Sequence, residues 1–399
     1  MHTQHSDFMH NTSFLFLMIA FFWSCGEQSQ NTAGGNSLFD FTVANESNDS
    51  LRQYGVDLDL VRVNETFILK LGDQEVPVQI EDRNDNGTPD RMYAIVDLPP
   101  RTEGTIVAYA GPVTNNPDGI KVHAHLDNGK AISSPHLLNF DEKWAANGII
   151  IENEWLGYRA IMNPPYAMDI IGKKVPVMLD SPVLHDLSKI SNWGGDALDE
   201  GLSLGIGSPA LFDQASIISL TKYDTREISI LATGPLRAEI QTKILGVPVR
   251  GEKVDLLIKW QMQVGKPWAQ LDVSIISKTD LNLQFAFGLP KDEEATDFTQ
   301  ALVNNVYCAY TFGLQSSERE HLGMAIMVPA RFEMDTYRDD PHNYFYLATP
   351  INQSVQYRVI SFWGKGRLPV YEEVEFFNLI KRYAAEYGAT IKVQPDFRL

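Results

Sequence analysis

Apolar and polar residues alternate along much of this chain, and the alternation is that of strands. Between residues 38 and 109, short β-prone runs at 66–71, 76–80, 92–96 and 105–109 are separated by turn residues. A strand sends successive side chains to opposite faces, so every second position meets a core. Short strands at this spacing predict a small antiparallel β-sandwich. Residues 112–121, PVTNNPDGIK, are rich in turn formers and mark its end. Beyond residue 126 the pattern resumes with longer runs at 216–220, 227–231, 237–245, 253–263, 269–277, 283–288, 322–328, 344–348 and 356–362. Many long strands in one unit predict two large stacked sheets. One segment has helical period. Over 371–387, Val374, Phe377, Ile380, Ala384 and Tyr387 form an apolar stripe, and Gly388 stops it. The expected fold is all-β, with a small sandwich, then a large one, and a single C-terminal helix.

The amino terminus has a different character. Residues 14–24 are an apolar run that ends at Cys25, too short to span a bilayer and of the length of a signal-peptide core. The arrangement resembles a bacterial lipobox, with Cys25 as the lipid-modified first mature residue. Trp23 is bulkier than usual there, and no Lys or Arg precedes the run. The alternative is an ordinary cleaved signal peptide with an incidental Cys. The Gln-, Asn- and Gly-rich segment that follows reads as a tether. The expected organisation is a signal peptide over 1–24, a tether over 25–37, a small sandwich over 38–120 and a large one over 121–399. The protein would then be a membrane-anchored lipoprotein at the periplasmic or outer-membrane surface.

Composition narrows the partners. The 399 residues carry a formal charge of −18 and no basic run, which argues against nucleic acid, whose phosphates require clustered Lys and Arg. An anionic ligand would need a local group of cations to overcome that field. Cys25 and Cys308 cannot build a disulfide framework, and Cys308, on a strand-like alternation, reads as an inert core thiol. No His-Glu-x-x-His occurs.

Two motifs invite chemistry. The glycine-rich block 192–211, NWGGDALDEGLSLGIGSPAL, lacks the Lys-Ser/Thr ending and preceding strand of a phosphate loop. It reads as a surface loop displaying Trp193, Asp196, Asp199 and Glu200, a stacking ring beside carboxylates, or as a plain connection. Residues 82–90, DRNDNGTPD, place Asp82, Asn84, Asn86 and Asp90 at the spacing that opens a calcium loop, but Tyr93 stands where the bidentate acid belongs. An Asn-Gly hairpin turn is the favoured reading, with Ca²⁺ as a weak candidate and no other cofactor expected.

With residues 152–173 (ENEWLGYRAIMNPPYAMDIIGK) and the Gly234-Pro235-Leu236-Arg237-Ala238 run, these motifs resemble the domain-of-unknown-function 4861 family of bacterial polysaccharide-utilisation lipoproteins, which are associated with unsaturated-uronyl hydrolases. The start at 234–238, followed by two long strands, looks like the galactose-mutarotase-type supersandwich. The association implies an anionic, uronate-bearing oligosaccharide of ulvan or pectin type. It implies a carbon–oxygen lyase that makes 4,5-unsaturated uronyl ends, either a dehydratase of a terminal uronate or a polysaccharide lyase. Such an elimination requires a cation on the carboxylate, a base for the C5 proton and an acid for the departing O4. Arg159 is the clamp candidate. Tyr158, His185 and His342 are base or acid candidates, Trp193 and Trp363 stacking platforms, Lys365 a second cation, and Asp196 and Glu200 contacts for sugar hydroxyls. For each, packing or surface solvation is the competing reading. The rival functions are a glycoside hydrolase using Asp196 with Glu200 or Asp169, a mutarotase-like epimerase, and a non-catalytic glycan-binding surface lipoprotein.

Overall fold

The structure is a computed structural model, and it describes residues 37–60, 66–84, 86–112, 122–126, 136–139, 148–161, 166–179 and 189–396. Cys25 and His185 lie outside the described residues, as do the leader and most of the tether. Among the described residues the fold is all-β apart from one α-helix, Glu373–Tyr387.

The first unit is a sandwich. One five-stranded sheet has the order Ile391–Asp396, Ser37–Asn45, Thr102–Ala110, Phe67–Leu71, Gln74–Val76; the facing three-stranded sheet runs Leu51–Asp59, Arg91–Leu98, Val78–Glu81. Phe41, Val43, Phe67, Leu69, Met92 and Ile106 fill the space between them, as the alternation requires. The boundary at residue 120 is incomplete in one respect. The last strand of the chain pairs with the first, Val43 opposite Val393, so the small sandwich takes its edge from the C-terminus. An exposed edge has unpaired N–H and C=O groups, and this pairing covers it.

The large unit is built on a nine-stranded sheet. Its central strands are Ser354–Trp363, Trp268–Ile275, Glu252–Gln263 and Arg237–Val249. Their inward residues, Ile240, Ile258, Trp260, Leu271, Tyr357 and Val359, meet two five-stranded sheets that supply Tyr158, Met168, Ile170, Leu211, Phe285 and Phe287. Phe287 stacks on Tyr357 with ring centroids 3.9 Å apart. This is the supersandwich that the strand pattern predicts.

The opposite face of the nine-stranded sheet is divided. At one end it is apolar, and the helix lies on it through Phe376, Ile380, Tyr383 and Ala384. The predicted stripe is corrected here: Val374 is 69% exposed, and Phe376 takes the central place. Gly323 explains the choice, since even a Cβ there would come within 2.7 Å of the Phe376 ring. Toward the small sandwich the same face is polar. Phe376→Ala should cost about 3–5 kcal/mol, measured as a lower denaturant midpoint at unchanged slope, because the cavity would open against the sheet.

Candidate functional site

A cavity of about 410 Å³ opens between the polar face of the large sheet, the small sandwich and the end of the helix. That volume is in the range of small-molecule sites. Its floor follows from strand alternation. Residues between the core positions point out, which gives Lys259, Gln261 and Gln263 from one strand, Gln270 and Asp272 from the next, and Gln356 and Arg358 from the third. Tyr54, Asp57, Arg83, Arg91 and Tyr93 come from the small sandwich, and Glu386 and Tyr387 from the helix. In a chain of charge −18, Arg83, Arg91, Lys259 and Arg358 gather on one concavity.

Arg358 is the most telling of these. It is only 8% exposed. Its guanidinium is 3.8 Å from the Trp268 ring centre and 4.1 Å from that of Tyr387. Nε donates to Gln270 Oε1 at 3.1 Å. Nη1 lies 3.8 Å from Glu386 Oε1 and has no hydrogen-bond acceptor among the described residues; Trp268 Nε1 and the Tyr387 hydroxyl also lack partners there. Buried donors are normally satisfied, so three orphans around one cavity mark a place for an acceptor that the chain does not supply. Beside them, burial raises the Asp272 pKa above the ordinary carboxylate value, although Gln356 Nε2 donates to it at 2.6 Å. Burial also raises the Tyr54 phenol, against the lowering influence of Arg358.

A charged lattice fixes the cleft's wall. Arg237 is fully buried. Its Nη1 donates to Asp57 at 2.6 Å, and Nε and Nη2 fork onto Glu81 at 3.1 and 2.6 Å. Its guanidinium lies 4.3 Å from the Tyr93 ring centre. Arg83 bridges Glu81 and Glu239 at 3.0 and 2.6 Å. Burial opposes the Arg237 charge, yet Glu81, Asp57 and Glu239 hold its pKa above the ordinary value. Burial likewise pushes Asp57 up, but Arg91 and Arg237 more than offset it and leave the carboxyl below its usual range. Glu239, deeper, is raised by burial. Gln79 completes the join by accepting from the Leu236 and Arg237 amides. These contacts tie the small sandwich to the large sheet.

The residues singled out from sequence fall mostly elsewhere. Arg159 donates to Asp169 and, at 2.8 Å, to Asp196. Glu200 is close by, and burial raises all three carboxyls, Asp169 most, with Asp196 adding to its rise. The fold thus brings Arg159, Asp196 and Glu200 together, but Arg159 is matched by two aspartates and is a poor clamp for a third anion. Glu200 and His342 line a smaller cavity of about 250 Å³ with Lys291 and Ser203. Three candidates need correction. Tyr158 is fully buried and donates to Pro267 O at 2.9 Å, out of reach of a dissolved substrate. Trp363 is 4% exposed and packs over Gly172, where a Cβ would come within 2.3 Å of the ring. Lys365 pairs with Glu318 and Glu320 at 2.9 and 2.7 Å, away from the cleft. Trp193 is half-buried on Ile150, Ile171 and Leu179.

The glycine-rich block is corrected as well, whereas the segment at 82–90 joins two antiparallel strands as its favoured hairpin reading expects. Much of the glycine-rich block is interior: Gly205, at φ +66°, bridges to Met168, and a Cβ there would come within 1.9 Å of the Met168 carbonyl. At 82–90, Asp82 accepts from the Asn86 and Gly87 amides and Asn84 Nδ2 donates to Asp90. The carboxylates make the turn between Val78–Glu81 and Arg91–Leu98, and no group of three His, Cys, Asp or Glu among the described residues is arranged to hold a metal ion. What sequence reasoning missed is the cleft floor. Its signal was there: charged and amide residues at every second position of strands whose other residues are core.

Residues 43–393 match the family described as a domain of unknown function (DUF4861), and the chain belongs to that family. Among solved structures it is similar to a glycosyl hydrolase family 38 protein from Enterococcus faecalis, with a TM-score of 0.50 and 10% identity over 90% of this chain and 47% of that one. It is similar to an alpha-mannosidase from Enterococcus faecalis, with the same score and identity over 90% of this chain and 46% of that one. The chain thus spans about half the length of those proteins, and the likeness is one of fold. A comparison with curated proteins found no match.

Asp272 offers a test of the cleft's desolvation. A carboxyl whose folded pKa is raised is most stabilising while protonated, and the stability is lost as pH rises through the folded value. Asp272→Asn should therefore raise the melting temperature at neutral pH, with the gain fading as pH falls toward the ordinary value of 3.8. Melting curves across pH check the sign.

Proposed function

We propose that the cleft binds a uronate-bearing oligosaccharide and that the protein is a carbon–oxygen lyase forming a 4,5-unsaturated uronyl end. The observation that carries this reading is Arg358, nine-tenths buried, stacked between two aromatic rings, with Nη1 3.8 Å from Glu386 Oε1 and without a hydrogen-bond acceptor among the described residues. A carboxylate matches that donor in charge and geometry. Tyr387 gives partly exposed ring surface beside it, and Lys259, Gln261 and Gln356 give donors for hydroxyls. The solved structures that share the fold are described as a glycosyl hydrolase family 38 protein and an alpha-mannosidase, which supports a sugar as ligand.

In the proposed reaction Arg358 neutralises the substrate carboxylate and so makes the C5 proton acidic. Asp272, a stronger base than an exposed carboxylate because burial raises its pKa, takes that proton. The C5–H electron pair becomes the C4–C5 double bond as the C4–O bond breaks. Tyr54, kept protonated by burial, gives its proton to the departing oxygen. If that oxygen is a hydroxyl the product is water and the enzyme is a dehydratase; if it joins another sugar the chain is cleaved. The family resemblance supports a partner hydrolase that consumes such ends. It also supports a surface location, with Cys25 as the lipid-bearing residue. Metabolic labelling with a palmitate analogue should mark the wild-type chain expressed in a bacterial host and not Cys25→Ser; equal labelling would remove the anchor from the account.

Incubation with uronate oligosaccharides should produce the ultraviolet absorbance of a conjugated uronate. Arg358→Ala should lower kcat/KM by about 10²–10³-fold, whereas Arg159→Ala, if folded, should retain most activity. Mass loss of one water without cleavage identifies the dehydratase. Binding with no absorbance would favour a glycan-binding protein, and saturated new reducing ends would favour a glycoside hydrolase.

A further inference from the structure

Glu386 stands beside the same arginine, and its position carries a consequence for selectivity that rests on reading the cleft as a uronate site. Its Oε2 is 2.6 Å from Lys266 Nζ, and its Oε1 is 3.8 Å from Arg358 Nη1. The first is a hydrogen-bonded ion pair; the second exceeds hydrogen-bond distance. Lys266 is 5% exposed and donates also to the Arg52 carbonyl at 2.9 Å, which holds the pair in place. Glu386 is itself largely buried, with its side chain 13% exposed. Its charge is therefore poorly screened where it faces Arg358.

We infer that Glu386 sets the charge selectivity of the cleft by lying next to the seat on Arg358 that a ligand carboxylate takes. The field of Glu386 reduces the pull of Arg358 on any anion without satisfying its Nη1. A small free anion gains only that weakened attraction. A uronate gains it together with ring contacts at Tyr387 and hydroxyl contacts at Lys259 and Gln261, all of which line the same cavity. A built-in repulsive element of this kind is a way of discriminating between ligands as effective as an added contact. The helix end that supplies Glu386 also supplies Tyr387, so attraction and repulsion are delivered by adjacent residues.

Glu386→Gln keeps an acceptor for Lys266 and removes the charge. Calorimetric titration of the full chain with a glucuronate-terminated disaccharide and with its glucose-terminated counterpart reads the effect. The variant should bind the acidic sugar about tenfold more tightly than wild type, bind the neutral one with unchanged affinity, and take up acetate that wild type does not. Glu386→Asp, which keeps the charge, should show none of these gains. A gain cannot arise from misfolding. Unchanged or weaker binding of the acidic sugar by a folded Glu386→Gln, with wild type binding it well, overturns the selectivity role and leaves the uronate site standing. Binding of the acidic sugar by neither protein overturns both.

Discussion

A strand can give only every second residue to a core, and the large sheet of this protein turns that constraint into a site. Ile258, Trp260, Leu271, Tyr357 and Val359 close the supersandwich. Their neighbours Lys259, Gln261, Asp272, Gln356 and Arg358 are thereby driven to the opposite face. On an open sheet that face would be solvated and chemically ordinary. Here the small sandwich and the helix end cover its rim, so the polar floor is partly desolvated. The raised Asp272 and Tyr54 and the unpartnered Arg358 nitrogen all follow from that covering.

The cover must be held in register, and the Arg237 cluster does this. Its members come from Asp57, Glu81 and Glu239, residues on three different strands of the two units. Buried ion pairs add little net stability over apolar packing, but removing one partner leaves uncompensated charge. The arrangement thus penalises any other docking of the small sandwich. The C-terminal strand adds a second constraint by completing that sandwich after the helix has crossed the sheet.

Much of the fold is legible from periodicity. The long strands at 237–245, 253–263 and 356–362 appear close to their predicted limits, and the helix ends at Gly388 as expected. The site is less legible for a physical reason. Tyr54, Asp57, Glu239, Asp272, Arg358 and Glu386 are far apart in sequence, and only sheet order makes them neighbours. Conspicuous local motifs drew attention instead. Gly194, Gly195 and Gly205 of 192–211 serve backbone-to-backbone packing, and the Asx-rich run at 82–90 serves a hairpin. Tyr158 and Trp363 sit in apolar strand runs, which already mark them as core. Arg159 lies with Asp196 and Glu200, residues that the sequence pattern offers for separate roles, and its cation is matched internally.

The most direct measurement is a crystal structure of the protein with a glucuronate-terminated oligosaccharide bound. The uronate carboxylate should lie about 2.7–2.9 Å from Arg358 Nη1, with the sugar ring against Tyr387 and C5 facing Asp272. A carboxylate held instead in the smaller cavity by Lys291 and His342, with the large cleft empty, would contradict it.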